Sequence, residues 1–182
     1  MDIKLTTPFS EEDIRNLRAG DTVRISGVLY TGRDAAHKRL CDLLDKGEKM
    51  PIDLQGSAIY YVGPAPAKPG RAIGSAGPTS SYRMDPYTEQ LLKEGLKVTI
   101  GKGPRGDEVR DMLVKYNGVY MSAIGGAAAL ISESVKKCEI VAYEDLGAEA
   151  IYRLEVEDFY AVVTYDAHGG DLFADGICKY GR

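Results

Sequence analysis

The sequence predicts a single α/β domain, residues 1–182, with a mostly parallel sheet and a further, partly antiparallel β layer. Three observations predict it. Through the middle of the chain, short β-branched runs alternate with helical patterns, each run handing over to a glycine-rich loop, as βα units do. From Ile151 onward the pattern turns to β alone. The 182 residues, 44% hydrophobic and 27% charged, suit one domain with a sizeable core rather than a disordered tail.

Element by element, Ser10-Glu11-Glu12-Asp13 ahead of Ile14 and Leu17 reads as a capped first turn of a short helix ending near Gly20. Thr22 to Tyr30 alternates and is β-branched, so it is a strand. Thr31-Gly32-Arg33-Asp34 then opens a helix through about Lys46, with Ala36, Leu40 and Leu43 at helical spacing. Ala58 to Val62 is a short strand running into an irregular Pro/Gly loop at 63–70. Thr88 is expected to cap a helix carrying Leu91 and Leu92 and closed by Gly95. Val98 to Ile100 is a strand, Asp107 to Tyr116 a helix closed by Asn117-Gly118, and Val119 to Ile124 a strand delivering Gly125-Gly126. Ala127 to Val135 reads as helix and Ile140 to Tyr143 as strand. The tail is expected to hold strands at Ile151–Val156 and Ala161–Tyr165 and a weaker one around Leu172, with His168-Gly169-Gly170-Asp171 as the turn between the last two.

Charge and composition exclude several functions. Lys and Arg total 23 against 27 acids, a net charge of −4, and no dense basic run marks a nucleic-acid reader. No apolar run approaches the ~20 residues that span a bilayer. Met1-Asp2-Ile3-Lys4-Leu5 lacks the apolar core of a signal peptide, and three cysteines make a disulfide framework a poor reading, so a cytoplasmic protein is expected. The 21 glycines gather near 32, 63–77, 101–106, 118–126 and 169–181, where loops must turn sharply or bring backbone N–H groups to a ligand.

Gly101-Lys102-Gly103-Pro104-Arg105-Gly106 fits G-x-G-x-x-G between a strand and a helix. No acid stands at the end of the next strand to hold a ribose, and Asp107-Glu108 crowd a pyrophosphate, so dinucleotide binding is a poor reading. His37 and Cys41 share a helix face, as two metal ligands would, but a packed imidazole and thiol fit better, and no C-x-x-C exists. No metal ligands are assigned. Gly77-Pro78-Thr79-Ser80-Ser81-Tyr82-Arg83 sets three hydroxyls beside an arginine, the natural bidentate partner of a carboxylate. Arg33 offers a second fork at a helix start, Lys102 a third cation, and Gly125-Gly126 a close backbone approach. A site for a small anion and ordinary capping with surface ion pairs account for these residues equally well.

Taken together, 31–37, 60–66, 74–85, 101–103, 123–130 and 155–159 closely resemble one family, in order and over nearly the whole chain. It is the β subunit, or C-terminal domain, of class I iron–sulfur fumarate hydratases and L-tartrate dehydratases. The resemblance implies a swivelling three-layer β/β/α domain with mixed sheets, and a hydro-lyase acting on a small dicarboxylate. It also implies a 4Fe–4S cluster bound by a partner α subunit, not by this chain, and serving there as Lewis acid on the substrate hydroxyl. A hetro-oligomer follows, α2β2 in the family pattern, with no nucleic acid or membrane partner.

Carried over by motif, Arg33 and Arg83 bind substrate carboxylate, Gly125 and Gly126 line the same site, Thr79 is the proton-abstracting base and Lys102 supports it. Asp34, His37 and Ser80 are supporting residues, with Asp34 and His37 orienting the Arg33 loop. Where relatives often read Pro-Thr-Thr, this chain has Pro78-Thr79-Ser80, which keeps the second hydroxyl. Fumarate is the expected substrate and tartrate the alternative. A non-catalytic anion-binding or partner subunit is the reading from another class.

Overall fold

The computed structural model describes residues 1–124 and 128–181, the side chains of 128–130 excepted. Among the described residues, seven strands and six α-helices follow in the order β1 (Ile3–Thr6), α1 (Glu11–Asn16), β2 (Thr22–Thr31), α2 (Asp34–Asp45), β3 (Ala58–Tyr60), α3 (Asp85–Lys93), β4 (Val98–Gly101), α4 (Asp107–Tyr116), β5 (Val119–Ser122), α5 (Ala128–Ser134), β6 (Val135–Ala142), β7 (Ile151–Tyr165) and α6 (Leu172–Tyr180). Short 3-10 turns at Ser81–Met84 and Glu144–Glu149 lead into α3 and β7.

The strands form one mixed sheet in the order β1-β2-β3-β4-β5-β7-β6, with β2 also paired to β7. That extra pairing closes β2, β3, β4, β5 and β7 into a ring. Four neighbouring pairs, from β1–β2 to β4–β5, are parallel. The long β7 runs antiparallel to β2, β5 and β6. A mixed α/β fold is therefore present, but the separate β layers are replaced by a single sheet that curls back on itself.

Period-2 alternation decides the core. Val23, Ile25 and Leu29 of β2, Val98 and Ile100 of β4, Val119 and Met121 of β5, and Phe159, Ala161 and Val163 of β7 share one buried cluster. Ile14 and Leu17, in and just after α1, join it. The opposite face packs on helices: Ile59 and Tyr61 meet Ala36 and Leu40 of α2 and Leu91 of α3, while Tyr120 and Tyr165 meet Val109 and Leu113 of α4. Each such fully buried aliphatic or aromatic side chain is worth about 1.5–3 kcal/mol.

Four sequence expectations need correction. Ile151–Val156 and Ala161–Tyr165 are one strand, because the break at Asp158 is absorbed as a bulge opposite β2: Asp158 takes φ 54° and Gly27 φ 110°. The segment around Leu172 is helix α6, capped by Asp171, whose Oδ1 accepts from Phe173 N at 2.9 Å and Ala174 N at 3.0 Å. Thr88 does not cap α3 but lies inside it, its Oγ1 donating to Met84 O at 3.0 Å; the helix starts at Asp85, with Pro86 in its first turn. The strand expected at Ile140–Tyr143 starts earlier, at Val135, directly after α5.

Candidate active site

Because β2, β3, β4 and β5 run parallel, their carboxyl ends lie at the same end of the ring. The chain leaves these strands at Thr31, Tyr60, Gly101 and Ser122. Arg33 and Asp34 follow the first, Thr79 and Ser80 lie in the connection after the second, and Lys102 follows the third. Gly125 and Gly126, after the fourth, lie outside the described residues.

The segment 79–81 is threaded between the extensions of β3 and β4. Thr79 N donates to Tyr61 O at 2.7 Å, Lys102 N to Thr79 O at 3.3 Å and Ser81 N to Lys102 O at 3.0 Å. Ser80 and Lys102 form a parallel bridge. The backbones of Thr79 and Lys102 are thus locked together although the residues are distant in sequence. Thr79 and Ser80 are half-buried and Lys102 is exposed. Among the described residues no carboxylate pairs with the Lys102 ammonium.

Arg33 is the N-cap of α2, in extended backbone and without a side-chain cap. Its guanidinium lies beside Gly63, where a Cβ would stand 3.4 Å from Arg33 Cδ and 3.5 Å from Nη1. Nε is 3.4 Å from Glu149 Oε1, and the group donates no hydrogen bond to a described residue. Asp34 holds Arg83: Arg83 Nε donates to Asp34 Oδ1 at 3.0 Å, and Nη2 is 3.0 Å from Oδ2. The pair is partly exposed, so its direct contribution to stability is at most about 1 kcal/mol.

His37 sits one turn into α2, only 1% exposed. Its amide donates to Arg33 O at 2.9 Å and Nδ1 lies 2.8 Å from the same oxygen, so Nδ1 carries the proton. Burial pushes the imidazole pKa down to about 4, against the favourable Arg33 carbonyl, so the ring is neutral near pH 7. Its ring stands edge-on to Tyr61 at 5.3 Å, and Nε2 has no hydrogen-bond partner. Cys41, one turn further, aims its thiol at Tyr87 O at 3.8 Å, and burial raises that thiol to about 11. Both side chains are packed into the protein, His37 against Tyr61 and Cys41 against the Tyr87 carbonyl.

The glycine loop after β4 also differs from a phosphate cradle. Gly106 caps α4, but its N–H already donates to Asp85 Oδ2 at 2.9 Å. Gly103, at φ 78°, turns its carbonyl to the Tyr120 hydroxyl at 2.7 Å. Sequence reasoning missed Arg105, whose side chain is fully buried and whose Nε donates to Asp85 Oδ1 at 2.7 Å. It missed Glu149 as well. Neither has a local signature, since each partner is distant along the chain.

Among the described residues no group of three or more His, Cys, Asp or Glu side chains gathers to hold a metal ion. Cys41 is in α2, Cys138 in β6 and Cys178 in α6, a donor set that does not fit an iron–sulfur cluster, which needs several thiolates at one point. No helix among the described residues is long and apolar enough to cross a membrane. A cleft of about 210 Å³ bounded by Thr7, Val28, Asp53 and Arg153 includes none of the candidate residues.

A family profile described as Fumarase C-terminus matches residues 1–176. Over 178 residues the chain is 42% identical to a Geobacillus stearothermophilus protein provisionally named fumarate hydratase class I, covering 95% of this chain and 34% of that one. It is 39% identical over 175 residues to the aerobic class I fumarate hydratase of Salmonella typhimurium, covering 94% of this chain and 30% of the relative. A Methanocaldococcus jannaschii protein provisionally named L(+)-tartrate dehydratase subunit beta is 36% identical over 173 residues, 92% of this chain and 89% of its own length. The chain spans about a third of the length of the two fumarate hydratases. The backbone lock between Thr79 and Lys102 is thus set in a domain with hydro-lyase relatives: the chain belongs to the Fumarase C-terminus family.

Proposed function

We propose that this chain is the β subunit of a hydro-lyase that reversibly hydrates fumarate to (S)-malate, its active site completed by an α subunit. The observation that carries the reading is the backbone tie of Thr79 to Lys102 at the carboxyl ends of β3 and β4, with Arg33 on the segment that leaves the neighbouring β2 and Arg83 held by Asp34. In the dehydration direction, Arg33 and Arg83 hold the carboxylates of malate. Thr79 takes the proton from the carbon beside one of them, and the cations stabilise the aci-carboxylate that develops. The hydroxyl on the adjacent carbon leaves as the double bond forms, a departure for which the α subunit's cluster would supply Lewis acidity. A threonine hydroxyl is a weak base, so Lys102, whose backbone is bonded to that of Thr79, is assigned the task of favouring the alkoxide.

Asp34 orients Arg83, and His37, neutral and hydrogen-bonded to the Arg33 carbonyl, orients the Arg33 turn. Ser80 supports Thr79 through its bridge to Lys102, and Gly125 and Gly126 are assigned to substrate binding by the family motif alone. The 4Fe–4S cluster is assigned to the α subunit, because the cysteines here do not gather. That division is supported by the M. jannaschii relative, which bears the name of a β subunit and matches over 89% of its length. We place the enzyme in the cytoplasm, a reading supported by three unpaired thiols. The family's swivelling domain is retained as the way this part meets its partner.

The test is co-expression with the α subunit and assay on malate and tartrate. Malate turnover that is lost in Thr79→Ala, with assembly and cluster content intact, supports the reading. Near-normal turnover in Thr79→Ala removes the threonine from its role, and tolerance at both Thr79 and Lys102 favours a non-catalytic anion-binding subunit. Tartrate turnover without malate turnover establishes the second reading, a tartrate dehydratase, which the same M. jannaschii relative favours.

A further inference from the structure

Below the loop that carries Lys102 lies a charge that the reaction above does not use. The Arg105 side chain is fully buried. Its Nε donates to Asp85 Oδ1 at 2.7 Å, Nη1 to Tyr61 Oη at 3.2 Å and Thr99 Oγ1 at 3.1 Å, and Nη2 to Thr88 Oγ1 at 2.7 Å. The rings of Tyr61 and Tyr120 flank the guanidinium, with centroids at 5.4 and 5.3 Å. Its backbone N donates to the Tyr165 hydroxyl at 3.0 Å. Removing so large a charge from water is costly and only a nearly complete set of partners offsets it.

What those partners carry gives the cluster its meaning. Tyr61 supplies the carbonyl that holds the Thr79 amide. Asp85 opens α3 two residues after Arg83, and its second oxygen takes the Gly106 amide. Arg105 itself follows Lys102 by three residues. A second tie acts from the other side, where Tyr120 Oη lies 2.9 Å from Ser81 Oγ and donates to Gly103 O at 2.7 Å. One planar fork therefore joins the segments bearing Thr79, Arg83 and Lys102. Lysine, a single point charge, cannot reach all four acceptors.

We infer that Arg105, clamped by Asp85, is a positioning residue that sets Thr79 and Lys102 in register with the turn carrying Arg83. Its catalytic consequence rests on the function proposed above. The Arg83 guanidinium is fixed independently by Asp34, so loosening Arg105 disturbs proton transfer more than substrate binding.

The experiment uses the assembled enzyme carrying Arg105→Lys, Asp85→Asn or Thr88→Val, the last two serving if Arg105→Lys does not fold. In Arg105→Lys, kcat per assembled enzyme falls by roughly 10- to 100-fold, the effect of a small misplacement. KM moves by no more than about threefold, the split expected when an interaction of the transition state is lost. Hydrogen exchange, read without reference to activity, quickens at the amides of Thr79, Ser81 and Lys102 while those of β2 keep their protection. Asp85→Asn and Thr88→Val shift kcat and exchange in the same direction by less. Unchanged kcat, a change in KM alone, or unaltered exchange at those three amides overturns the inference. Wild-type enzyme inert towards both malate and tartrate removes the functional reading instead, and the exchange result then decides the positioning by itself.

Discussion

Asp34 and Arg83 stand 49 positions apart in the chain and meet at 3.0 Å, joining the start of α2 to the turn before α3. The contact fixes one terminus of a long side chain that would otherwise sample many rotamers. Immobilising such a side chain costs about 0.5–1.5 kcal/mol, so losing the hold shifts that cost onto substrate binding. In Asp34→Ala we expect KM for the dicarboxylate to rise by about 2- to 10-fold with kcat little altered. Denaturation should change by no more than about 1 kcal/mol, since both partners are partly exposed. A KM equal to that of wild type would show that Asp34 does not orient Arg83.

Lys102 makes the opposite case, a side chain whose backbone is held while its charge meets no carboxylate among the described residues. Both its N–H and its C=O are engaged by the 79–81 segment, and those bonds survive any change beyond Cβ. Lys102→Met should therefore leave stability within about 0.5 kcal/mol of wild type. Turnover should fall by roughly 10²- to 10³-fold, the scale of losing one electrostatic stabiliser of the transition state. Kinetics and urea denaturation on the same preparation check both halves. Retained turnover would place the role of Lys102 elsewhere.

Local chemistry made some elements readable and left others hidden. The Ser10–Asp13 capping box that starts α1 and the helix at Asp107–Tyr116, ended by Asn117 at φ 51°, are written in neighbouring residues, whereas α1 stops at Asn16, short of the end expected near Gly20. The start of α6 is obscured because Leu172-Phe173 look like strand residues, and only the Asp171 cap commits them to a helix. Sheet closure by β7 was hidden because it depends on register between residues far apart, such as Ile25 and Phe159. The site divides in the same way. Arg33, Thr79, Arg83 and Lys102 stand in recognisable motifs, whereas Arg105 gains its meaning only once Tyr61, Asp85, Thr88 and Thr99 surround it.

Gly101 tests how tightly the inserted segment is packed. A Cβ there would overlap Ser81 Oγ and stand 2.9 Å from Tyr61 Cδ2 and 3.2 Å from Ser81 Cβ. Gly101→Ala should destabilise by about 1–3 kcal/mol, as overpacking in a core does. Ser81→Ala removes the overlapping oxygen, so the double variant should be more stable than the sum of the two single changes allows. The crowding from Tyr61 remains, and the recovery is incomplete. Strict additivity in a urea double-mutant cycle would mean that the two residues do not press on each other.

His37 ties stability to pH with a definite sign. Burial holds its folded-state pKa at about 4, whereas an unfolded histidine titrates near 6.5. Arg105 pushes in the same direction as burial, while the Arg33 carbonyl and Asp34 oppose it. Between these two values the unfolded chain binds more protons than the folded one, so stability rises with pH across that window. On acidification from about pH 6.5 to about pH 4 the protein should lose about 3 kcal/mol from this group, after which the contribution levels off. His37→Asn keeps an N–H facing the Arg33 carbonyl but cannot take up a proton. Its stability between pH 4.5 and pH 7, read from denaturant midpoints, should lack that slope, whatever its absolute value. The same slope in the variant would assign the proton uptake to another group.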